Sequence, residues 1–407
     1  MDALPFGELK VLDLAWVVAG PMIGRVLADF GATVIRVESA RRVDTARVMG
    51  PFPGGKMDTR QSALYENCNA GKLGLALDLS SAQGQQVVRD LVAWADVLVE
   101  SFSPGQMQRW GLGYESLQEI QPGLVMVSTS LMGQSGPYAS FAGYGNVGAA
   151  MAGFQHLVGE EGELPIGPFG PYTDYVGPRF GLVALLAALD HRRRTGEGGW
   201  LDVSQAEAGI QFLAPQIADV AVTGTVAAAC GNRDPQMAPH GVFRCGVEGG
   251  FDEWISIAVR DDAEWHALAD LIGQPELAHD RRFACLAKRK ENEAALEQIV
   301  SAWAAGRRAH VAEQQLQERG IPAAVAASSA DMLADPQLAA RGHFVRLDHP
   351  LMGTSTVESS RYQLSDTRPG PGRCAPLPGR DNAYVLRDIL GYGESEIAAL
   401  ERSGVLS

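Results

Sequence analysis

The amino-terminal part of the chain predicts an α/β protein built on an open, doubly wound parallel sheet. Two observations carry this: apolar runs of strand length alternate with segments of helical periodicity, and small residues or glycines follow the strand-like runs. Lys10-Val11-Leu12-Asp13-Leu14-Ala15-Trp16-Val17-Val18 reads as the first strand. Residues 21–30, with Met22, Ile23, Val26 and Leu27, read as a helix, and Thr33-Val34-Ile35-Arg36-Val37-Glu38 as the second strand. A right-handed crossover between them implies parallel pairing. The alternation continues with a helix over 82–95, a strand over 97–100, a helix over 114–120 and a strand over 124–128. Ligands of such sheets lie beyond the carboxyl ends of the strands.

Further on, residues 200–204 read as a strand and 205–222 as a long helix of small and apolar residues. Composition changes near Thr223-Gly224-Thr225, and residues 231–241 form a loop rich in turn formers. A strand over 254–259 and helices over 262–271, 291–305 and 310–319 suggest a smaller α+β domain. The chain then passes through Val345-Arg346-Leu347 and a Pro/Gly-rich stretch, 368–379, to helical segments at 383–390 and 394–400.

Bulk properties narrow the function. A net charge of −14 over 407 residues argues against a nucleic-acid or anionic-membrane partner. No run approaches the ~18 apolar residues that span a bilayer, and the start of the chain is not patterned as a signal peptide, so a cytoplasmic protein is expected. Cys68, Cys230, Cys245, Cys285 and Cys374 are scattered and never spaced as CxxC, which suits free thiols and makes neither a zinc site nor a disulfide framework.

A GxGxxG match occurs at Gly143-Tyr144-Gly145-Asn146-Val147-Gly148, but no strand precedes it, and Glu163 lies in a polar loop instead of at a strand end. The first βα turn, Ala15-Trp16-Val17-Val18-Ala19-Gly20-Pro21, lacks the glycine fingerprint. Both points disfavour a nicotinamide or flavin enzyme.

The stretch Gly167-Pro168-Phe169-Gly170-Pro171-Tyr172-Thr173-Asp174-Tyr175-Val176-Gly177-Pro178-Arg179 leads into the nearly unbroken apolar run 180–189. With Pro178 at the first helical position, a buried helix would begin there, leaving Asp174 just outside its positive end, where an ionised carboxylate is stabilised. From these residues alone Asp174 fits a turn or cap residue as well as a reactive anion.

The order of short segments along the chain resembles the class III (CaiB/BaiF-type) CoA-transferase family. Those segments are Lys10-Val11-Leu12-Asp13-Leu14 with Ala19-Gly20-Pro21, Leu27-Ala28-Asp29-Phe30-Gly31-Ala32, Val99-Glu100-Ser101-Phe102-Ser103-Pro104-Gly105, Gly133-Gln134-Ser135-Gly136-Pro137-Tyr138, and Asp335-Pro336-Gln337-Leu338 with Arg341-Gly342. The resemblance implies a Rossmann-like large domain formed by both chain ends (1–222 and 331–407), an inserted small α+β domain (223–330), and two interlocked subunits. It implies Asp174 as the nucleophile that exchanges one CoA thioester for another, without metal or redox cofactor.

The same resemblance puts Val17, Val18 and Ala19 beside the pantetheine of coenzyme A and Lys72 and Arg109 at its nucleotide. Ser101, Phe102 and Ser103 match the adenine-side loop, and Met132 and Gly133 the loop after the strand over 124–128. Tyr144, Asn146 and Tyr175 are expected near the substrate, in a pattern similar to members that activate aromatic or dicarboxylic acids, such as the benzylsuccinate CoA-transferases. Some of those are heteromers of related chains, so a homodimer or a heteromer is expected.

Two departures matter for substrate and lid. Val18 stands where the formyl-CoA transferase branch has glutamine, which disfavours an oxalate-type small acid and points to a more apolar acceptor, and Asp234-Pro235-Gln236-Met237-Ala238-Pro239-His240 stands where that branch has a glycine-rich lid, which argues against a mobile glycine flap over Asp174. A third bears on the alternative of an α-methylacyl-CoA racemase: the racemase histidine matches Tyr144, and a tyrosine with an ordinary pKa of ~10 is a poor base. A non-catalytic CoA-binding subunit of a heteromer is the other alternative.

Overall fold

A computed structural model describes residues 4–406. The chain separates into two compact units: one holds residues 1–155, 167–226 and 339–407, the other 156–166 and 227–338.

The first unit is built on six parallel strands: β1 (Lys10–Asp13), β2 (Thr33–Glu38), β3 (Leu73–Ala76), β4 (Val97–Glu100), β5 (Val125–Ser130) and β6 (Gly199–Ser204), in the order β3-β2-β1-β4-β5-β6. Leu12 pairs with Ile35 on one side and Leu98 on the other. Alternate strand residues feed two cores, which is why the strands read as continuous apolar runs. Val11, Val34, Val97, Val99, Val125 and Val127 face Ile23 and Leu27 of the Ala19–Asp29 helix and Leu185 of the Tyr172–Thr195 helix. Leu12, Ile35, Leu98 and Met126 face Val88 and Leu91 of the Ala82–Trp94 helix and Leu386 and Leu400 near the carboxyl end. The carboxyl-terminal segment also protects the exposed edge of β3: Asp381 Oδ2 accepts the Gly74 N–H at 2.8 Å and Asn382 Oδ1 the Ala76 N–H at 2.9 Å.

The first strand is shorter than its apolar pattern suggests. It stops at Asp13, whose carboxylate accepts the Ala15 N–H at 3.0 Å, and Val17 has a φ of 66°, which no strand tolerates. The long helix expected over 205–222 is two α-helices, Gln205–Ile210 and Ala214–Thr223, joined by a 3₁₀ turn ahead of Pro215.

The second unit has three antiparallel strands, β7 (His240–Glu248), β8 (Phe251–Ala258) and β9 (Ala323–Val325). Its core gathers Trp265, Phe283, Leu296 and Trp303. Residue 240, expected in a loop, opens β7, where Phe243 and Cys245 point inward and Val242 and Arg244 outward. Within this unit Arg289 Nε donates to the Ala238 carbonyl at 2.9 Å, tethering the segment ahead of β7. Among the described residues no helix is long and apolar enough to cross a membrane.

Candidate active site

In the first unit, loops from the carboxyl ends of five strands close on a cavity of about 250 Å³. Trp16, Val17, Val18 and Ala19 follow β1, and Arg42 follows β2. Ser101, Phe102 and Ser103 follow β4, Thr129 and Ser130 end β5, and Gln205 follows β6. Phe141, Tyr144 and Asp174 complete the wall. This is the switch point of the sheet, where β1 and β4 lie side by side and their following connections diverge.

Asp174 enters this cavity through close helix packing. The helix that carries it begins at Tyr172, earlier than the proline signal predicted, so Asp174 lies in the first turn and Pro178 inside the helix. Pro178 brings no N–H to the Asp174 carbonyl four residues before it. The Gly145–Met151 helix packs against that turn so tightly that a Cβ at Gly145 would stand 2.5 Å from the Asp174 amide nitrogen. A Cβ at Gly148 would stand 2.3 Å from Thr173 Oγ1, which donates to the Gly145 carbonyl at 3.1 Å. Two glycines of the GxGxxG match thus serve helix packing, as its rejection as a nucleotide motif allows.

The Asp174 environment differs from the sequence expectation in its electrostatics. Asp174 is 4% exposed, and burial pushes its carboxyl up to about 6; the Gly145 backbone N–H and the Gln205 side-chain amide hydrogen-bond it and oppose that rise. Desolvation therefore outweighs any helix-end field. At pH 7 the carboxyl is still ionised by roughly ten to one.

Of the residues named from the sequence, Val17, Val18, Ala19, Ser101, Phe102, Ser103 and Tyr144 share the cavity wall with Asp174. Met132 and Gly133 lie just past the β5 end and outside that wall. Asn146 and Tyr175 are exposed and also outside it.

Lys72 requires correction. It is fully buried, and its three ammonium hydrogens go to Asp13 Oδ2 (2.7 Å), the Pro21 carbonyl (2.8 Å) and Asn69 Oδ1 (2.9 Å), so none remains for a phosphate. Arg109 is exposed, bonded to Gln106 Oε1 at 2.6 Å, and takes no part in the wall. The cation that does line the cavity is Arg42, whose guanidinium lies 5.2 Å from the centre of the Trp16 ring.

Arg42 and Gln205 were both overlooked. The signal available was position: each closely follows the carboxyl end of a strand, β2 and β6 respectively. Val17 is the one non-glycine residue with positive φ among those described, a conformation that costs ~1–3 kcal/mol and persists only when its surroundings enforce it. Here Asp44 Oδ1 accepts the Val17 N–H at 3.0 Å, while Asp44 Oδ2 is paired with the fully buried Arg36.

Comparison with known proteins identifies the family. Residues 7–382 match the model of CoA-transferase family III. The chain is 32% identical over 402 residues to the succinyl-CoA–D-citramalate CoA-transferase of Chloroflexus aurantiacus, covering 99% of this chain and 98% of that one. It is 34% identical to the acetyl-CoA:oxalate CoA-transferase of Acetobacter aceti, over 90% of this chain and 92% of the relative. The crystal structure of a CaiB/BaiF family protein from Brucella suis superposes with a TM-score of 0.86 at 32% identity, covering 95% of this chain and 99% of that one. This chain belongs to CoA-transferase family III, and it is an enzyme of the CoA-transferase class.

Proposed function

We propose that this protein moves CoA from an acyl-CoA thioester to a free carboxylic acid, with Asp174 as the covalent nucleophile. The observation that carries this reading is that Asp174 is the one carboxylate in a cavity wall that contains no histidine, cysteine or lysine. The ionised carboxylate attacks the donor carbonyl; the C–S bond breaks, leaving a mixed anhydride and CoA thiolate. The thiolate adds to the Asp174 carbonyl and expels the donor acid as its carboxylate, which leaves an aspartyl-CoA thioester. The acceptor carboxylate then attacks that thioester, and the thiolate leaves and returns to the acceptor's acyl carbon, regenerating Asp174. The buried position supports water exclusion, which the anhydride needs.

CoA enters as substrate. Arg42 suits its phosphates, and the backbone of Val17, Val18 and Ala19 would flank the pantetheine. The small, hydroxyl-bearing cavity and relatives named for citramalate, glutarate and oxalate transfer support a short dicarboxylic acid as acceptor, in place of the more apolar acid that Val18 suggested. A racemase reading loses support because the wall offers Tyr144 and no histidine as a base.

A dimer is part of the proposal. Val183 at 68% exposure and Phe212 at 53% leave apolar surface on the Asp174 helix and beside it, where a second copy would cover it. A related protein is named as an alpha subunit, so a paralogous partner is the alternative occupant. The free cysteines suit a reducing, cytoplasmic setting.

The test is trapping. Incubation with succinyl-CoA and then hydroxylamine is expected to convert Asp174 to its hydroxamate, read by peptide mass. Turnover retained in Asp174→Ala would overturn the proposal.

A further inference from the structure

Gln205 meets the nucleophile directly. It is 7% exposed and lines the Asp174 cavity, and its side-chain amide favours the ionised form of the Asp174 carboxyl. Two neighbours fix how it does so. Thr173 Oγ1, whose one hydrogen goes to the Gly145 carbonyl at 3.1 Å, lies 3.4 Å from Gln205 Oε1 and seats the amide against the first turn of the Asp174 helix, where an ionised carboxylate attracts its NH₂ end. Gly177, one turn along the same helix, leaves the space the side chain crosses: a Cβ there would stand 3.2 Å from Gln205 Cγ. The Gly145 backbone N–H also favours the ionised carboxyl, and the close packing at Gly145 holds it against the Asp174 turn. Two neutral donors from different elements therefore converge on one carboxyl group, with no cationic side chain bonded to it.

That arrangement suits chemistry at the aspartyl carbon itself. When CoA thiolate adds to the Asp174 carbonyl of the mixed anhydride, its carbonyl oxygen becomes an oxyanion. The same happens when the acceptor carboxylate adds to the aspartyl thioester. An oxyanion gains more from preorganised N–H donors than a carbonyl does, and a donor of this kind is worth ~10²–10³ in rate. A cation in the same place would stabilise the resting carboxylate strongly and blunt its attack, whereas an amide holds it weakly.

Building on the Asp174 reading, we propose that Gln205 is a catalytic residue: with the Gly145 N–H it forms the oxyanion hole for addition at the Asp174 carbonyl. Its substrate-side consequence is specific. Formation and breakdown of the aspartyl-CoA thioester depend on Gln205, while binding of acyl-CoA does not.

The experiment follows covalent CoA on the full-length enzyme by quenched-flow intact mass after mixing with succinyl-CoA, in wild type, Gln205→Met and Gln205→Glu. Gln205→Met keeps the shape and removes the donor. Its adduct formation and turnover are expected to fall about 10²-fold, with the acyl-CoA KM within about twofold and the acid limb of the kcat/KM–pH profile moved to higher pH, because a bond that favours the ionised Asp174 is gone. Should Gln205→Met fail to fold, Gln205→Glu carries the test, since it retains size and polarity; it is expected to lose adduct formation at pH 7 and to regain part of it as the pH falls and the new carboxyl becomes a donor. Adduct formation at the wild-type rate in either variant, or a loss expressed wholly in KM with an unmoved acid limb, overturns the role of Gln205 alone. A wild-type enzyme that never carries CoA on Asp174 overturns the Asp174 reading and this one with it.

Discussion

Lys72 Nζ and Asp13 Oδ2 are 2.7 Å apart, and both side chains are fully buried. The pair belongs to a chain of buried charges in which Asp13 also faces Arg36 at 3.5 Å and Arg36 pairs with Asp44. Asp44 in turn holds the Val17 N–H at the cavity wall. Lys72 thus supports the site from behind. Removing one partner of a buried pair strands the other charge, so Lys72→Ala is expected to cost about 3–5 kcal/mol of stability. Urea denaturation checks this, and a variant of wild-type stability with weakened CoA binding would instead restore the phosphate role expected from the sequence.

Arg42 should carry the phosphate interaction that Lys72 does not. Arg42→Ala is expected to raise the acyl-CoA KM about tenfold, equivalent to ~1.4 kcal/mol, and to reduce its salt dependence, because an exposed cation is screened by salt. Arg109→Ala should change neither, as steady-state kinetics at two ionic strengths would reveal.

The contact between Gly145 and the Asp174 backbone leaves no room for a methyl group. Gly145→Ala has to push the first turn of the Asp174 helix away, and misplacement of a reacting group by about 1 Å costs ~10²-fold. A loss of kcat of that size with an unchanged far-ultraviolet dichroism spectrum is the expected outcome.

Acid should switch the enzyme off. With the Asp174 carboxyl pushed up to about 6 by burial, kcat/KM is expected to fall tenfold per pH unit below that value, through loss of the ionised nucleophile. Stability runs the other way. A folded-state pKa raised above the ordinary carboxylate value adds stability that is complete below about pH 3.8 and is lost as the pH rises through 6. Asp174→Asn should therefore match the wild type near pH 4 and exceed it by up to roughly 3 kcal/mol at pH 7 and above. Thermal melts across that range provide the measurement.

The apolar surface on the Asp174 helix predicts self-association. Val183→Glu, at a position 68% exposed in the single chain, is expected to shift the protein to a smaller species in analytical ultracentrifugation. The expectation of a buried helix here holds only on the side facing the sheet, where Leu185 is fully buried.

The sequence by itself determined most strands of the parallel sheet and the family. Strands buried on both faces must be apolar throughout, so β1, β2, β4 and β5 could be found from short apolar runs, and the order of segments along the chain carried the family resemblance and singled out Asp174. What it could not determine were the partners across the fold. Lys72 reads as a free cation until the β1–β2–β3 arrangement delivers Asp13 to it, and Pro178 reads as a helix start until packing extends the helix to Tyr172. Gln205 is 31 residues from Asp174 in sequence and beside it in space. Burial and hydrogen-bond partnership depend on contacts between distant residues, and those exist only once the sheet has brought its carboxyl-end loops together.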